Sequence, residues 1–517
     1  MTKLTEINDY AASHAAYSPA ALWALFDGNR DRLNIAHECL DRHRARGRAV
    51  TVKFASGRLE HYGFGELADL ANQFAHYLAR QGVAPGARVA VILEPGRAFY
   101  TCVFGALKRG AVAVPLFTLF GPEGLALRVH DCRPEVIVTD GPEGPLRVQF
   151  PQIRVIKIDA EFWAALAAED PQYNPVTRAD DLALFQYTSG TTRELPAAVK
   201  HSHRAVVTVM IAALYGVGLR PGDRYFCPSS PAWGHGLWHG TVSPLALGIP
   251  ICAYAGKFDP KRIFEVLEDL SVDNFSAAAT VYRMLRNSAL RERYRVHLRK
   301  CTFTGEPLDS ATFEWIVDAF GLAPGSMYGS TEVGCIIVDY PGMTGHRIKR
   351  GALGRPAPGA EIAVLDATGA TVAPGVIGEL AVQRRGAWFR IKDSGWRDED
   401  GYLFHAGRAD DVIISAGWTM SAVEIENTLL KHPEILEAAV IGIADPVRGQ
   451  VAKAYLVARH ASPPDAIALQ QYMKDRLSQH EYPRAIEFVS ELPKTPAGKI
   501  NRQALRARAK LQSEIEP

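Results

Sequence analysis

The sequence predicts an α/β protein. It has a large N-terminal part of parallel sheets covered by helices, a small β subdomain after it, and a small α+β domain at the C-terminal end. Three observations predict this. Apolar runs that fit buried strands alternate with helix-period segments early in the chain. Short strands separated by turn signals fill Val364 to Val382. The last stretch, on the order of a hundred residues, mixes helix and strand patterns, a size typical of a separate small domain. At 517 residues the chain also exceeds the size at which one core keeps growing, so more than one domain is expected.

The elements follow in order. Leu67, Leu70, Ala71, Phe74 and Leu78 recur at helical spacing, and Gly82 is placed to stop that helix. Arg88 to Leu93 reads as a strand, Phe99 to Arg109 as a helix, and Ala111 to Leu116 as a second strand. A helix around Leu125 to His130 precedes the strand Val136-Ile137-Val138. This alternation implies a parallel sheet with helical cover. Leu182 to Phe185 and Cys301 to Thr304 are further strands. Asp366-Ala367-Thr368-Gly369 and Pro374-Gly375 are the turn signals of the antiparallel unit. A boundary near Arg408 to Asp411 divides the chain into domains 1–409 and 410–517. Beyond it, Ser421 to Leu430 and Ile467 to Leu477 read as helices, and Ala438 to Ile443 and Ala452 to Ala458 as strands. The charged end, Arg502 to Pro517, is expected to fray.

Composition narrows the function. Apolar content of 47% and charged content of 22% are ordinary for a globular protein. A net charge of +2 gives no reason to expect nucleic acid or an anionic membrane as partner. No apolar run is long enough to span a bilayer, and the first residues do not read as a signal peptide. The 7 cysteines are scattered singly, with no metal spacing, which fits reduced thiols in the cytoplasm.

Chemistry first shows in Gln186-Tyr187-Thr188-Ser189-Gly190-Thr191-Thr192. A loop of small and hydroxyl residues after a buried strand offers backbone N–H groups and hydroxyls to phosphate oxygens. Taken alone, the stretch reads more readily as an ordinary Ser/Thr turn. No G-x-x-x-x-G-K-[ST] loop exists: Gly498-Lys499 is followed by Ile500, and Gly256-Lys257 by Phe258. This disfavours a P-loop kinase or ATPase.

Four more motifs follow: Tyr328-Gly329-Ser330-Thr331-Glu332; Asp393-Ser394-Gly395-Trp396-Arg397-Asp398-Glu399-Asp400-Gly401-Tyr402; Gly407-Arg408-Ala409-Asp410-Asp411; and Pro493-Lys494-Thr495-Pro496-Ala497-Gly498-Lys499. In this order and spacing the set resembles the adenylate-forming superfamily of acyl-CoA synthetases, luciferases and peptide-synthetase adenylation domains. The segments Trp23 to Gly28 and Asn34 to His37 resemble its acetyl and medium-chain acyl-CoA synthetase branch. The resemblance covers nearly the whole chain and implies a small, mobile C-terminal domain.

The roles that follow are implied by that resemblance. Thr188, Ser189, Gly190, Thr191 and Thr192 contact the phosphates of ATP. Gly305, Glu306, Pro307 and Tyr328 enclose the adenine, a flat apolar base suited to an aromatic ring. Asp393 takes the ribose hydroxyls through its two carboxylate oxygens, with Arg408 as a second ribose and phosphate contact. Glu332 holds Mg²⁺, a hard cation that prefers oxygen, with Ser330 and Thr331 beside the phosphate. Lys499 is the catalytic cation of adenylation, acting on charge that builds at the α-phosphate. Glu332 and Thr188 assist it. Asp410 is the hinge between domains. Gly417 lines the pantetheine tunnel, where only a small residue lets a thiol arm pass. Trp233 and His235 line the acyl pocket. Gly329, where acetate-specific relatives carry Trp, is expected to leave room for a larger acid. His235 and His239 stand four apart, but Gly234, Gly236 and Gly240 weaken any helix there, so a metal site is not expected.

The chain departs from the family pattern in two places. In the phosphate loop Arg193 stands where Gly is common, Glu194-Leu195 carries an extra residue, and Ala197 replaces the lysine. Arg193 or Lys200 is then the candidate substitute cation. Before Asp393 the family's Thr-Gly is replaced by Ile391-Lys392.

The expected activity is an ATP-dependent acid–CoA ligase. It activates a medium-chain, branched or aromatic carboxylic acid as acyl-AMP, releases pyrophosphate and transfers the acyl group to CoA. One alternative is an enzyme that loads a carrier protein. Another is a non-catalytic nucleotide-binding relative, which the retention of Glu332, Asp393 and Lys499 argues against. A monomer or homodimer, acting on a small carboxylic acid and open to acetylation at Lys499, completes the expectation.

Overall fold

The computed structural model describes residues 2–187, 198–305, 308–330, 333–408, 413–415, 418–420, 422–445, 449–477, 482–495 and 499–515. The chain divides into two compact units. Unit 1 is Met1–Thr304 with Tyr340–His346. Unit 2 is Gly305–Asp339 with Arg347–Pro517. The boundary expected at 409/410 falls inside unit 2.

In unit 1 the helix read from Leu67 to Leu78 spans Phe64–Arg80. It ends as Gly82 foretells: the Gly82 and Val83 N–H groups donate back to the Ala79 and Leu78 carbonyls, the Schellman pattern. The alternation that follows builds a parallel sheet. Among the described residues its strands run in the spatial order Arg154–Lys157, Val136–Thr139, Arg88–Ile92, Val112–Pro115, Leu182–Gln186 and Val199–Ser202. Only the last pair is antiparallel, with Gln186 opposite Val199. The helix Pro122–Cys132 packs Leu125, Val129 and Cys132 into one core cluster with Phe185 and Tyr187. A second row of unit 1 strands runs Lys300–Thr304, Asn274–Ala278, Tyr225–Phe226, Ile251–Ala255 and Arg48–Phe54, all parallel. Leu59–Gly63 is antiparallel at its edge.

In unit 2 the expected β subdomain is antiparallel, with Ile362–Leu365 on Gly378–Arg384, then Ala387–Arg397 and Leu403–Arg408. The C-terminal stretch has its own sheet. Ile435–Asp445 lies antiparallel to Gly449–Ala458, and Ala485–Phe488 lies parallel to it. The helices Ala422–Leu429 and Ala466–Lys474 close a core that includes Ile425, Leu429, Val440, Leu456 and Leu469.

One expectation is corrected here. The chain from Arg502 does not fray; Arg502–Ile515 is a helix. Leu505 is 1% exposed and packs with Leu492 and Tyr455. Arg502 pairs with Glu426 and Arg508 with Glu487, so one apolar stripe and charges with partners fix a segment that composition alone reads as loose.

Candidate functional site

Unit 2 gathers residues from three of the sequence motifs. Tyr328 ends its hydroxyl on the Asp393 carboxylate at 2.5 Å. Asp393 sits on Ala387–Arg397 directly opposite Arg408 of Leu403–Arg408, so the two expected ribose contacts are cross-strand partners. His405 Nε2 lies 3.8 Å from the same carboxylate, and its ring is 6.1 Å from that of Tyr328. Asp393 thus accepts a hydroxyl hydrogen from Tyr328. Lys392, which replaces the family's glycine, has φ 61°, the left-handed region that glycine enters at no cost. The chain makes that backbone turn with a lysine. Its N–H donates to Glu379 at 3.2 Å across an irregular stretch of the ladder.

Lys499 is delivered by a short hairpin. Lys494 and Ile500 form a bridge, Thr495 N–H donates to the Lys499 carbonyl at 2.7 Å, and Lys499 N–H donates to the Thr495 hydroxyl at 3.3 Å. Thr495 is buried, and Lys494 pairs with Glu437 at 2.9 Å. The hairpin sets the Lys499 side chain beside Gly305. A Cβ placed on Gly305 would stand 3.8 Å from Lys499 Cε and 4.0 Å from Nζ. The structure therefore brings the expected catalytic cation to the first residue of the expected adenine motif.

Gly329 sits closely against a neighbouring strand. It lies on Gly325–Ser330, which pairs with Gly334–Val338 through a register shift after Tyr328. A Cβ at Gly329 would fall 1.9 Å from the Gly334 carbonyl oxygen and 2.8 Å from Cys335 Cα. A residue without a side chain therefore also suits this close strand pair.

In unit 1, Trp233 packs against Phe117 and Phe120, with ring centroids 5.6 and 6.1 Å away. His235 opens a π-helix, His235–Val242, that continues as Ser243–Ala246. The glycines expected to weaken a helix here instead let it pack closely. A Cβ on Gly236 would meet the Ser230 carbonyl at 2.2 Å, and one on Gly234 would meet Gln186 Nε2 at 2.5 Å. His235 Nε2 lies 3.2 Å from the Ser276 hydroxyl, which accepts from Thr302 at 2.7 Å. Burial pushes the His235 imidazole down to about 4. Burial, then the neighbouring His235, pushes His239 to about 3. Both are neutral at pH 7. Trp238 Nε1 donates to Gln186 Oε1 at 2.9 Å, tying this helix to the strand that leads into the expected phosphate loop. Lys200, opposite Phe185, holds its Nζ 5.5 Å from that ring. Among the described residues no group of three metal-binding side chains occurs.

Thr188, Ser189, Gly190, Thr191, Thr192, Arg193, Glu194, Ala197, Glu306, Pro307, Thr331, Glu332, Asp410 and Gly417 lie outside the described residues, as does the side chain of Arg408. Sequence reasoning gave no role to Gln186, Ser276 and Thr302 beside the unit 1 candidates, or to His405 beside Asp393 in unit 2. Only Gln186 carried a signal, its place two residues before Thr188.

Comparison with known proteins follows the same lines. The profile of the AMP-binding enzyme family matches residues 41–388, and that of the AMP-binding enzyme C-terminal domain matches 424–499. The acetyl-coenzyme A synthetase of Bacillus subtilis is 32% identical over 523 residues, covering 92% of this chain and 90% of that protein. The crystal structure of an acyl-CoA synthetase from Brucella canis superposes with a TM-score of 0.74 at 30% identity, covering 98% of this chain and all of that one. The anthranilate CoA ligase AuaEII, solved with anthranoyl-AMP, superposes with a TM-score of 0.83 at 26% identity over 96% of this chain and 100% of that one.

Proposed function

The chain belongs to the AMP-binding enzyme family and is an AMP-forming acid–CoA ligase that uses ATP, and from this premise we propose how its residues divide the two half-reactions. In the first, the acid's carboxylate attacks the α-phosphate of ATP and pyrophosphate leaves. In the second, the CoA thiol attacks the acyl carbon and AMP leaves.

Lys499 serves the first half-reaction. Its ammonium stabilises the charge that builds on the α-phosphate oxygens in the in-line transition state. The observation that carries this is its placement beside Gly305 by a hairpin that closes on itself. Thr188, Ser189, Gly190, Thr191 and Thr192 hold the phosphates. Gly305, Glu306, Pro307 and Tyr328 take the adenine, and Asp393 and Arg408 take the ribose. The Tyr328–Asp393 contact and the cross-strand pairing support that grouping. Glu332, flanked by Gly329, Ser330 and Thr331, would hold Mg²⁺, which supplies charge neutralisation on the phosphates when bound. After adenylation the domain 410–517 turns about Asp410, withdraws Lys499 and brings Gly417 to the pantetheine arm.

The acid is larger than acetate: medium-chain, branched or aromatic. The aromatic trio of Phe117, Phe120 and Trp233 supports this reading, since flat apolar walls suit an apolar acyl group. The enzyme acts in the cytoplasm as a monomer or homodimer, and acetylation of Lys499 would switch it off by removing its charge. No described helix is long and apolar enough to cross a membrane, and all 7 cysteines are free thiols.

A panel of carboxylic acids assayed for AMP release, with and without CoA, tests the proposal. Release that depends on CoA and favours longer or ring-bearing acids is expected. Acetate as the best substrate would contradict the assignment of the acid, and indifference to CoA would contradict the acceptor.

A further inference from the structure

We propose that Asp131 is a positioning residue for the first half-reaction: its carboxylate fixes both ends of the segment that carries the phosphate-binding residues. The observation is a convergence. Tyr187, the last described residue before that segment, donates its hydroxyl to Asp131 Oδ2 at 2.7 Å. Ala198, the first described residue after it, donates its backbone N–H to the same oxygen at 2.9 Å. The two donors are the residues just beyond the last rung of a hairpin, Gln186 opposite Val199. Asp131 therefore closes the neck of that hairpin one step past its own ladder.

The anchor is built to be rigid. Asp131 rides in the last turn of Pro122–Cys132, whose Leu125, Val129 and Cys132 are core residues together with Tyr187 itself. The Tyr187 hydroxyl oxygen also lies 2.8 Å from the Arg128 carbonyl, a second acceptor for its one hydrogen, and the ring is 2% exposed. One turn earlier the Arg128 guanidinium is held over the Phe120 ring at 3.8 Å and donates to the Gly124 carbonyl at 2.7 Å. Helix, aromatic ring and carboxylate cannot shift independently.

The physical consequence concerns loop entropy. A segment whose two ends are fixed has less conformational entropy to lose on binding a ligand than one whose ends are free. Fixing both ends with one charged acceptor removes part of that freedom before ATP binds. Asp131 touches no substrate; it acts through the loop. Its effect belongs to ATP binding and pyrophosphate departure and not to thioester formation. This inference rests on the reading that Thr188 to Thr192 hold the ATP phosphates.

The experiment compares Asp131→Leu, Asp131→Asn and Tyr187→Phe in the full chain. It uses ATP–pyrophosphate exchange for the first half-reaction and thioester formation from supplied acyl-adenylate for the second. Asp131→Leu is expected to raise the KM for ATP and slow exchange by about ten- to a hundredfold, the scale of losing two hydrogen bonds to a charged acceptor. It should leave transfer from acyl-adenylate near the parent rate. Asp131→Asn, which keeps an oxygen in place, should restore most of the exchange, and Tyr187→Phe should fall between. Tyr187→Phe keeps the buried ring, so it decides the question if Asp131→Leu does not fold. Unchanged exchange in both, or equal loss of the two half-reactions without rescue by Asn, would overturn the proposal. Thr191→Ala separates the causes. If it raises the KM for ATP while the Asp131 variants do not, the anchor is wrong. If it has no effect either, the phosphate loop itself is misassigned and the anchor falls with it.

Discussion

In unit 1 the segment expected to take the phosphates leaves and rejoins its hairpin under a carboxylate 56 and 67 positions away in sequence, whereas in unit 2 the loop that carries Lys499 closes on a hydroxyl four positions away. The same contrast runs through the rest of both units. The unit 1 candidates are placed by buried contacts from other elements: His235 through Ser276 and Thr302, and the π-helix through Gln186. The unit 2 candidates are placed by adjacent backbone: a short hairpin for Lys499, a tight strand pair at Gly329, a left-handed residue before Asp393 and a direct cross-strand partner in Arg408. Unit 1 should therefore be sensitive to what disturbs a buried polar interior, and unit 2 to what disturbs local backbone.

Acid is the strongest way to separate them. Burial lowers His43, His203 and His235 to about 4 and His239 to about 3, and all four lie in unit 1. Folded, these rings resist protonation, while in the unfolded chain they take protons below about 6.5. Their contribution to stability is complete above that pH, is lost as pH falls, and levels off once the folded rings also protonate near 4. At on the order of 2 kcal/mol each, together they offset much of the ~5–15 kcal/mol that keeps a domain folded. Hydrogen exchange followed from pH 7 to 4 should show unit 1 opening first; unit 2 opening first would break the contrast.

Gly329→Ala tests the other side. A methyl group forced against the Gly334 carbonyl should cost about 2–3 kcal/mol in chemical denaturation. An unchanged stability with an altered preference among acids would instead favour the expected place of Gly329 in the acyl pocket. Thr495→Val removes the hydroxyl that receives the Lys499 N–H. It should slow adenylation by about five- to tenfold while sparing transfer from supplied acyl-adenylate; loss of both would show that the hairpin does more than carry Lys499. The smallest effect is expected from Lys392→Gly. It relieves a left-handed lysine against glycine's greater freedom when unfolded, for a net gain of about 0.5–1 kcal/mol.

This contrast also explains what could be read in advance. The alternation from Leu67 to Val138, the antiparallel unit around Val364 to Val382 and the C-terminal strands were legible because each rests on local period and turn residues. The Asp393–Arg408 pairing follows from motifs a few residues apart on adjoining strands. Asp131 was not legible: an aspartate late in an amphipathic helix gives no local sign that it will meet Tyr187 and Ala198. The sequence alone could not show the strand pair at Gly329, because a small residue suits an open pocket and a tight strand pair equally; the close approach of the Gly334 carbonyl is seen only in the structure. The helix from Arg502 escaped because its anchors, Glu426, Glu487 and Leu492, are supplied by other elements.

The central claim is that Lys499 serves adenylation alone. Lys499→Ala, assayed for pyrophosphate exchange and for thioester formation from supplied acyl-adenylate, tests it most directly. Exchange should fall by roughly a thousandfold or more, the scale seen when a preorganised charge on a transition state is removed, while thioester formation stays near the parent rate. Equal loss in the two assays would contradict the division of labour.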